Sequence, residues 1–327
     1  MTSILYRAKA KFERDYRDFI VRCGLDQNLR NRNKGQYKIL LYHGIDHVSS
    51  LKYNHRFCSI SDFTSQLQYF KKHFNLISVK DVFQKKGTKD KLNVAITFDD
   101  GYKNNVKYAV PILEKMQIPA TIYVTSIRKM GATFLWADFI DIATTLQDKS
   151  LTIEGLNFKK NTLGKFVCGD IMLKNYIKEG DFKRKEIAMN AFCNVDFMDN
   201  ESLFDYWKLI DETDLQVLSN SKYVSIGSHS HLHNNLGNIA LEEAKQEMKI
   251  SKEYIENCTQ KEITSLAFPD GSYTREVIDS AERIGYKYML ATDYRYQEDK
   301  NDPRILNRYG FYAYESSNNQ IHRMLRL

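Results

Sequence analysis

The sequence predicts an α/β protein built on a parallel sheet, and three observations predict it. Short apolar, β-branched runs recur along the chain, stretches of helical period separate them, and 43% hydrophobic with 27% charged residues is an ordinary globular balance. Short strands alternating with helices imply parallel pairing, because each parallel connection needs a crossover. About seven such units either form an open doubly wound sheet or close into a barrel, and periodicity does not choose between them.

The elements follow in order. Residues 1–37 read as a basic amphipathic helix and linker: residues 1–35 carry nine Lys/Arg against Glu13, Asp15, Asp18 and Asp26. Leu5, Ala8, Phe12, Tyr16, Phe19, Ile20 and Cys23 recur at helical spacing. Such a stripe most often docks a helix on its own domain, and its charge also suits peripheral contact of residues 1–24 with an anionic membrane surface. Strand runs follow at 38–43 (KILLYH), 93–98 (NVAITF), 119–124 (PATIYV), 222–228 (KYVSIGS), 264–268 (TSLAF), 286–291 (YKYMLA) and about 305–311. The clearest helices are 60–73, 104–116, 240–257 and 274–284, with Ala240, Ala244, Met248 and Ile255 as one apolar face. Residues 38–327 thus form the main domain. Residues 128–220 interrupt the alternation and read as a mainly helical insertion, a lid or substrate wall with a basic tint from Lys159, Lys160, Lys165, Lys183, Arg184 and Lys185.

Composition excludes several classes. With 15 Gly and 4 Pro in 327 residues, collagen-like and disordered chains fit poorly. No apolar run approaches the roughly 18 residues of a membrane span. Cys23, Cys58, Cys168, Cys193 and Cys258 are odd in number and irregularly spaced, which argues for buried free thiols rather than a disulfide framework or thiolate zinc. The first residues lack the pattern of a secretory signal, so a cytoplasmic protein is expected. Outside the first helix the charges nearly cancel, and nucleic-acid binding is not expected.

Chemistry enters at Thr97-Phe98-Asp99-Asp100-Gly101, where a strand runs directly into two carboxylates and a glycine. Acids at the C-terminal end of a parallel strand lie on the face where active sites form, and one can bind a cation while the other accepts a proton. The second constellation, Gly227-Ser228-His229-Ser230-His231-Leu232-His233, holds three of the eight histidines at another strand end. If a helical turn begins there, His229 and His233 face one way; if the strand continues, His229, His231 and His233 share a face. One Asp with two His gives a three-ligand site with room for water, the pattern of a catalytic metal.

These motifs resemble the polysaccharide deacetylases of carbohydrate esterase family 4, the NodB-homology family. TFDDG at 97–101 is similar to its first motif and SHSHLH at 228–233 to its second, within a likeness spanning about 38–127 and 222–311. The resemblance implies a distorted (β/α) barrel and one divalent metal, commonly zinc, with cobalt, nickel or iron(II) as alternatives. It implies Asp100, His229 and His233 as ligands, Asp99 as general base, and water at the metal as nucleophile.

Three departures accompany the likeness. The third motif reads Ala267-Phe268-Pro269-Asp270-Gly271-Ser272-Tyr273, leaving a backbone N–H at Asp270 as the expected oxyanion donor. The arginine that steadies the base in the family is missing from that motif, and Arg308 in PRILNRYGF is the substitute. The late Leu-x-x-His motif is also missing. His322 is a poor replacement, and His43, in a Tyr-His opening seen in some members acting on exported polysaccharides, is the spare candidate for acid or substrate contact. The expected substrate is an N-acetylhexosamine unit of a glycan or glycan precursor. The alternatives are the same chemistry on another amide, such as a formylated amino-sugar lipid, and an inactive metal-containing glycan-binding module.

Overall fold

The computed structural model describes residues 2–47, 55–147, 149–192 and 207–327. Strands β1 (Tyr37–Tyr42), β2 (Ile45–Asp46), β3 (Cys58–Ser59), β4 (Asn75–Leu76), β5 (Asn93–Phe98) and β6 (Ala120–Val124) occupy the first part of the chain. Four short strands, β7 (Leu151–Ile153), β8 (Leu156–Lys160), β9 (Phe166–Cys168) and β10 (Ile171–Met172), lie in the insertion. They are followed by β11 (Val224–Ser228), β12 (Ser265–Ala267), β13 (Tyr288–Leu290), β14 (Ile305–Leu306) and β15 (Tyr309–Gly310). The principal sheet runs β14-β13-β12-β11-β6-β5-β1-β15, with β4 beside β5, and every pairing in it is parallel.

The two ends of that order explain the barrel. Only Asn307 and Arg308 separate β14 from β15, yet β14 pairs with β13 and β15 with β1. One short stretch of chain therefore bridges the sheet edges and curls the sheet into the distorted (β/α) barrel. β5 and β6 are buried at every position, the signature of strands covered on both faces.

Helices α1 (Thr2–Arg22), α2 (Gln27–Arg32), α3 (Ile60–His73), α4 (Val79–Phe83) and α5 (Val110–Met116) precede the insertion. The insertion carries α6 (Trp136–Leu146), α7 (Leu173–Glu179) and α8 (Phe182–Ala191), and α9 (Glu212–Ser219), α10 (Leu241–Thr259), α11 (Arg275–Ile284) and α12 (Ser317–Arg326) complete the set. The Ser59 hydroxyl caps α3 and Thr274 caps α11, each accepting a backbone N–H of the first turn. The predicted helix at 104–116 divides into a π-helical turn over Asn105–Ala109 and α5. Ala244, Met248 and Ile255 of α10 join the barrel core, as their spacing predicts.

The stretch 128–220 is more varied than helical period suggests. Strands β7–β10 form an antiparallel sheet, and α6, α7 and α8 close over it around a second core that includes Trp136, Ile153, Phe158 and Trp207. The inner face of α9, Leu215 and Leu218, belongs instead to the barrel core. The expected helical reading of residues 193–206 lies outside the described residues, as does Cys193. The other four cysteines are free, but only Cys58 is buried and Cys23 is exposed, which corrects the expectation of uniformly buried thiols. Among the described residues, no helix is long and apolar enough to cross a membrane.

Candidate metal centre and active site

The strands deliver their chemistry at one end of the barrel. β5 stops at Phe98, in register with Ile122 of β6, and β11 stops at Ser228, opposite Val124 of β6. The aspartates and His229 thus emerge on either side of β6. Gly101 closes the distance: it has φ +72°, and a Cβ there would meet the Val124 side chain at 2.8 Å and its backbone at 3.1 Å. Only glycine lets this turn lie against the end of β6. Asp100 itself has φ 73°, an uncommon conformation for a residue with a Cβ.

The histidine segment follows neither path that the sequence leaves open. After Ser228 the chain is a loop in which Ser230 (φ 62°) and His233 (φ 56°) both take left-handed conformations. This winding turns His229 and His233 toward each other, with ring centroids 5.0 Å apart, and sends His231 aside to Ser126 Oγ at 2.8 Å. Glu247 of α10, buried, holds the loop in place. Its carboxylate accepts the backbone N–H groups of His231 (3.1 Å) and Leu232 (2.9 Å) and the amide of Asn234 (2.6 Å). Lys185 of α8, whose pKa burial pushes down to about 8, completes the support by donating to Asn234 Oδ1 at 2.6 Å.

Asp100, His229 and His233 are all buried, and one ligand atom from each lies within 4.8 Å of the others. His229 Nε2 stands 3.4 Å and His233 Nε2 3.1 Å from Asp100 Oδ1, a buried oxygen that accepts no hydrogen bond. His229 Nδ1 is 2.8 Å from the carbonyl of Ala267. A carbonyl can only accept, so Nδ1 carries the proton and Nε2 of the neutral ring is a lone pair aimed at a carboxylate oxygen. Two electron-rich atoms facing each other in a buried site fit a cation shared between them, and the oxygen and nitrogen donor set suits a borderline divalent ion. The carbonyl that fixes the His229 tautomer is the kind of outer support that metal-binding histidines use.

Asp99 points to the other side of the same turn. Arg308 Nη1 and Nη2 donate to its two oxygens at 2.6 Å each, and both side chains are buried. Burial alone would raise the Asp99 pKa, but the guanidinium, followed by His229, holds it below the ordinary value. Burial likewise works against the charged form of Asp100, and Arg56 with the two imidazoles outweighs it. For His229 the burial penalty is overcome by the neighbouring carboxylates, and its pKa is raised.

Arg56, Asp138 and Lys178 escaped the sequence reading. Arg56 Nη1 donates to Asp100 Oδ2 at 3.1 Å, while its Nη2 donates to Asp138 Oδ1 at 3.0 Å and Tyr102 Oη at 3.1 Å. Asp138 comes from α6, so the insertion reaches a candidate ligand through one arginine. Trp136 Nε1 donates to the carbonyl of His233 at 3.2 Å. Lys178 of α7 holds the Asp270 carboxylate at 2.8 Å, beside the tight turn in which Asp270 has φ 50°. His43 is half-buried, its Nδ1 has no partner, and its ring lies 6.3 Å from that of Tyr312. Burial pushes its pKa down to about 4. His322 lies away on α12, beside α1.

Comparison with known proteins shows the family and the fold. The sequence profile of the polysaccharide deacetylase family matches residues 86–151 and 183–289, more than half of the chain and both halves of the site. The chain belongs to the polysaccharide deacetylase family. Its members are hydrolases of N-acetyl amide bonds. YxkH of Bacillus subtilis (strain 168), named for the same family, is 21% identical over 270 residues, covering 81% of this chain and 67% of its own. Among solved structures, Streptococcus pyogenes deacetylase PplD in complex with acetate superposes with a TM-score of 0.54 at 21% identity, covering 88% of this chain and 98% of that one. IcaB from Ammonifex degensii gives 0.55 at 12% identity, covering 89% and 97%. At such identities the structures speak to the fold, and the fold is the deacetylase barrel.

Proposed function

We propose that this deacetylase removes the acetyl group from an N-acetylhexosamine unit of a glycan or glycan precursor, with Asp99 as proton acceptor. One divalent cation, zinc first, would be held by Asp100, His229 and His233. The observation that carries the reading is the convergence of two imidazole Nε2 atoms, that of His229 a lone pair, on an unsatisfied carboxylate oxygen 3.4 and 3.1 Å away, beside a second carboxylate held by arginine. A cation bound there would polarise the acetyl carbonyl and make nearby water more acidic.

The chain's own groups do the rest. Asp99 takes the proton from the attacking water, and the two-pronged grip of Arg308 keeps it anionic and fixed in direction until that proton passes to the amine nitrogen, the C–N bond breaks, and acetate and the free amine leave. The Pro269–Gly271 turn offers the Asp270 N–H toward developing negative charge. His43, neutral near pH 7, gives a hydrogen bond to substrate more readily than a proton. Arg56 and the walls contributed by Trp136, Asp138 and Lys178 limit access of bulk water to the site.

The reading is tested with protein loaded with zinc and assayed for acetate release from N-acetylated oligosaccharides. Asp99→Asn is expected to keep one metal per chain and to lose about 10² to 10⁴ in rate, whereas Asp100→Ala is expected to lose the metal. Turnover by Asp99→Asn at the normal rate, or full metal content in Asp100→Ala, would overturn the assignment. Formate release from an N-formylated amino sugar, with no acetate from the N-acetylated oligosaccharides, would move the substrate to a formylated amino sugar.

A further inference from the structure

Helix α1 docks with the opposite face from the one its apolar stripe predicts. The inner line runs through Ala10, Arg17 and Val21 and the backbone of Arg14, whose side chain is exposed: Val21 enters the barrel core, the Arg14 carbonyl accepts from Asn319 Nδ2 of α12 at 3.0 Å, and neighbouring Asp18 accepts from Ser316 Oγ at 2.6 Å. The stripe Phe12, Tyr16, Phe19 and Cys23 has the same four-three-four spacing but is offset by two positions, about 200° around the helix. It therefore faces outward: Phe12 is 72% exposed, Tyr16 53% and Phe19 55%, with Tyr6 at 75% near its edge. Aromatic side chains of this size are seldom presented together to water without a partner.

The charges around the stripe say what the partner is. Lys9, Lys11 and Arg22 flank it together with Asp15, while Glu13 is engaged by Arg17 and Asp18 by Ser316. A second copy of the chain would set these cations against their own kind. The exposed rings also need an apolar partner. An anionic bilayer meets both requirements, since headgroups neutralise the lysines and arginines while rings of Phe and Tyr sit at the boundary of the acyl region. We propose that α1 is a membrane-surface helix that lays Phe12, Tyr16 and Phe19 into an anionic lipid interface, held to the barrel through α12. This inference does not rest on the deacetylase chemistry.

The test is sedimentation of the full chain with vesicles of phosphatidylcholine alone and of phosphatidylcholine with about a third phosphatidylglycerol. Binding is expected to the anionic vesicles, weakening as salt is raised. A combined Phe12→Ser, Tyr16→Ser, Phe19→Ser variant should lower the partition coefficient by more than about tenfold, with an unchanged melting temperature and acetate release from soluble substrate. Wild-type protein that stays in the supernatant, or a variant that binds as well as wild type, overturns the proposal. A wild-type dimer that the triple variant converts to monomer also overturns it and assigns the face to a second copy.

Discussion

Replacing Arg308 separates what it does for the fold from what it does for the reaction. Arg308 donates two hydrogen bonds of 2.6 Å to Asp99, one of 3.2 Å to the Ala291 carbonyl and one of 3.3 Å to Thr97 Oγ1. Arg308→Met would strand a buried carboxylate beside a second one. Breaking a buried pair by removing one partner costs about 3–5 kcal/mol. Unfolding entropy of roughly 2 cal/mol/K per residue over 327 residues is about 0.7 kcal/mol/K. The expected fall in melting temperature of the metal-free protein is thus about 4–7 °C. Arg308→Lys restores a positive charge but only a single direction of approach, so it should recover most of the lost stability. It should leave kcat at least about tenfold down with KM little changed, because one ammonium cannot fix both Asp99 oxygens. The measurements are differential scanning calorimetry and initial rates of acetate release. A lysine variant with wild-type kcat would show that charge alone suffices, and a methionine variant melting within a degree of wild type would refute the claim that the pair is structural.

Two further outcomes follow from groups around the centre. Glu247→Gln presents an amide N–H₂ either to the His231 and Leu232 N–H groups or to Asn234, whose oxygen is already taken by Lys185, so one end must clash; metal affinity by titration is expected to fall about tenfold, and an unchanged affinity would remove Glu247 from the support of the site. The cleft of about 510 Å³ between Arg56, α6 and the β8–β9 hairpin is lined by Lys160, Lys165 and Lys174 with Asp141 as its acid, so Lys160→Glu with Lys165→Glu should raise KM for a uronate- or phosphate-bearing acetylated glycan by about tenfold and leave a neutral one unaffected. Equal changes on both glycans would detach the cleft from substrate choice.

The strands were legible because parallel strands buried on both sides leave a plain record. NVAITF coincides with β5 at both ends and the other runs fall within a few residues of the observed limits, except that the single run expected at about 305–311 divides into β14 and β15. Asp100, His229 and His233 were legible as residue types at strand ends, but the route that brings them together was not. Two left-handed residues, Ser230 and His233, lie outside any period that a helix or strand would impose. Glu247 stood on a helix face rich in Glu and Lys, where a buried carboxylate has the same letter as a solvated one. Arg56 had no signal at all, since its function comes from Asp100, Tyr102 and Asp138 meeting around it in space. The antiparallel strands of the insertion were missed for a related reason: two to five residues, partly exposed, are too short to show alternation. For α1 the stripe was read correctly and its direction was not, because spacing reports which residues share a face and never what that face meets.

The departures in the third motif acquire a physical explanation from the barrel's closure. A base-steadying arginine has to approach Asp99 from the side away from the histidines, because His229 Nε2 already lies 3.8 Å from Asp99 Oδ2. In a barrel that approach can come from whichever segment closes the sheet next to β1 and β5. Here the closing segment is the link between β14 and β15, and Arg308 is the second of its two residues. The arginine is brought to the base by pairing of β15 with β1 on one side and of β14 with β13 on the other. The third motif is thereby released from that task. Its Asp270 is engaged by Lys178, which ties the third-motif turn to the insertion. The same insertion contacts Arg56 through Asp138, the His233 carbonyl through Trp136 and Asn234 through Lys185. Among the described residues it surrounds the centre on these sides without contributing one of the converging donor atoms, so Asp100, His229 and His233 are held together by the barrel itself.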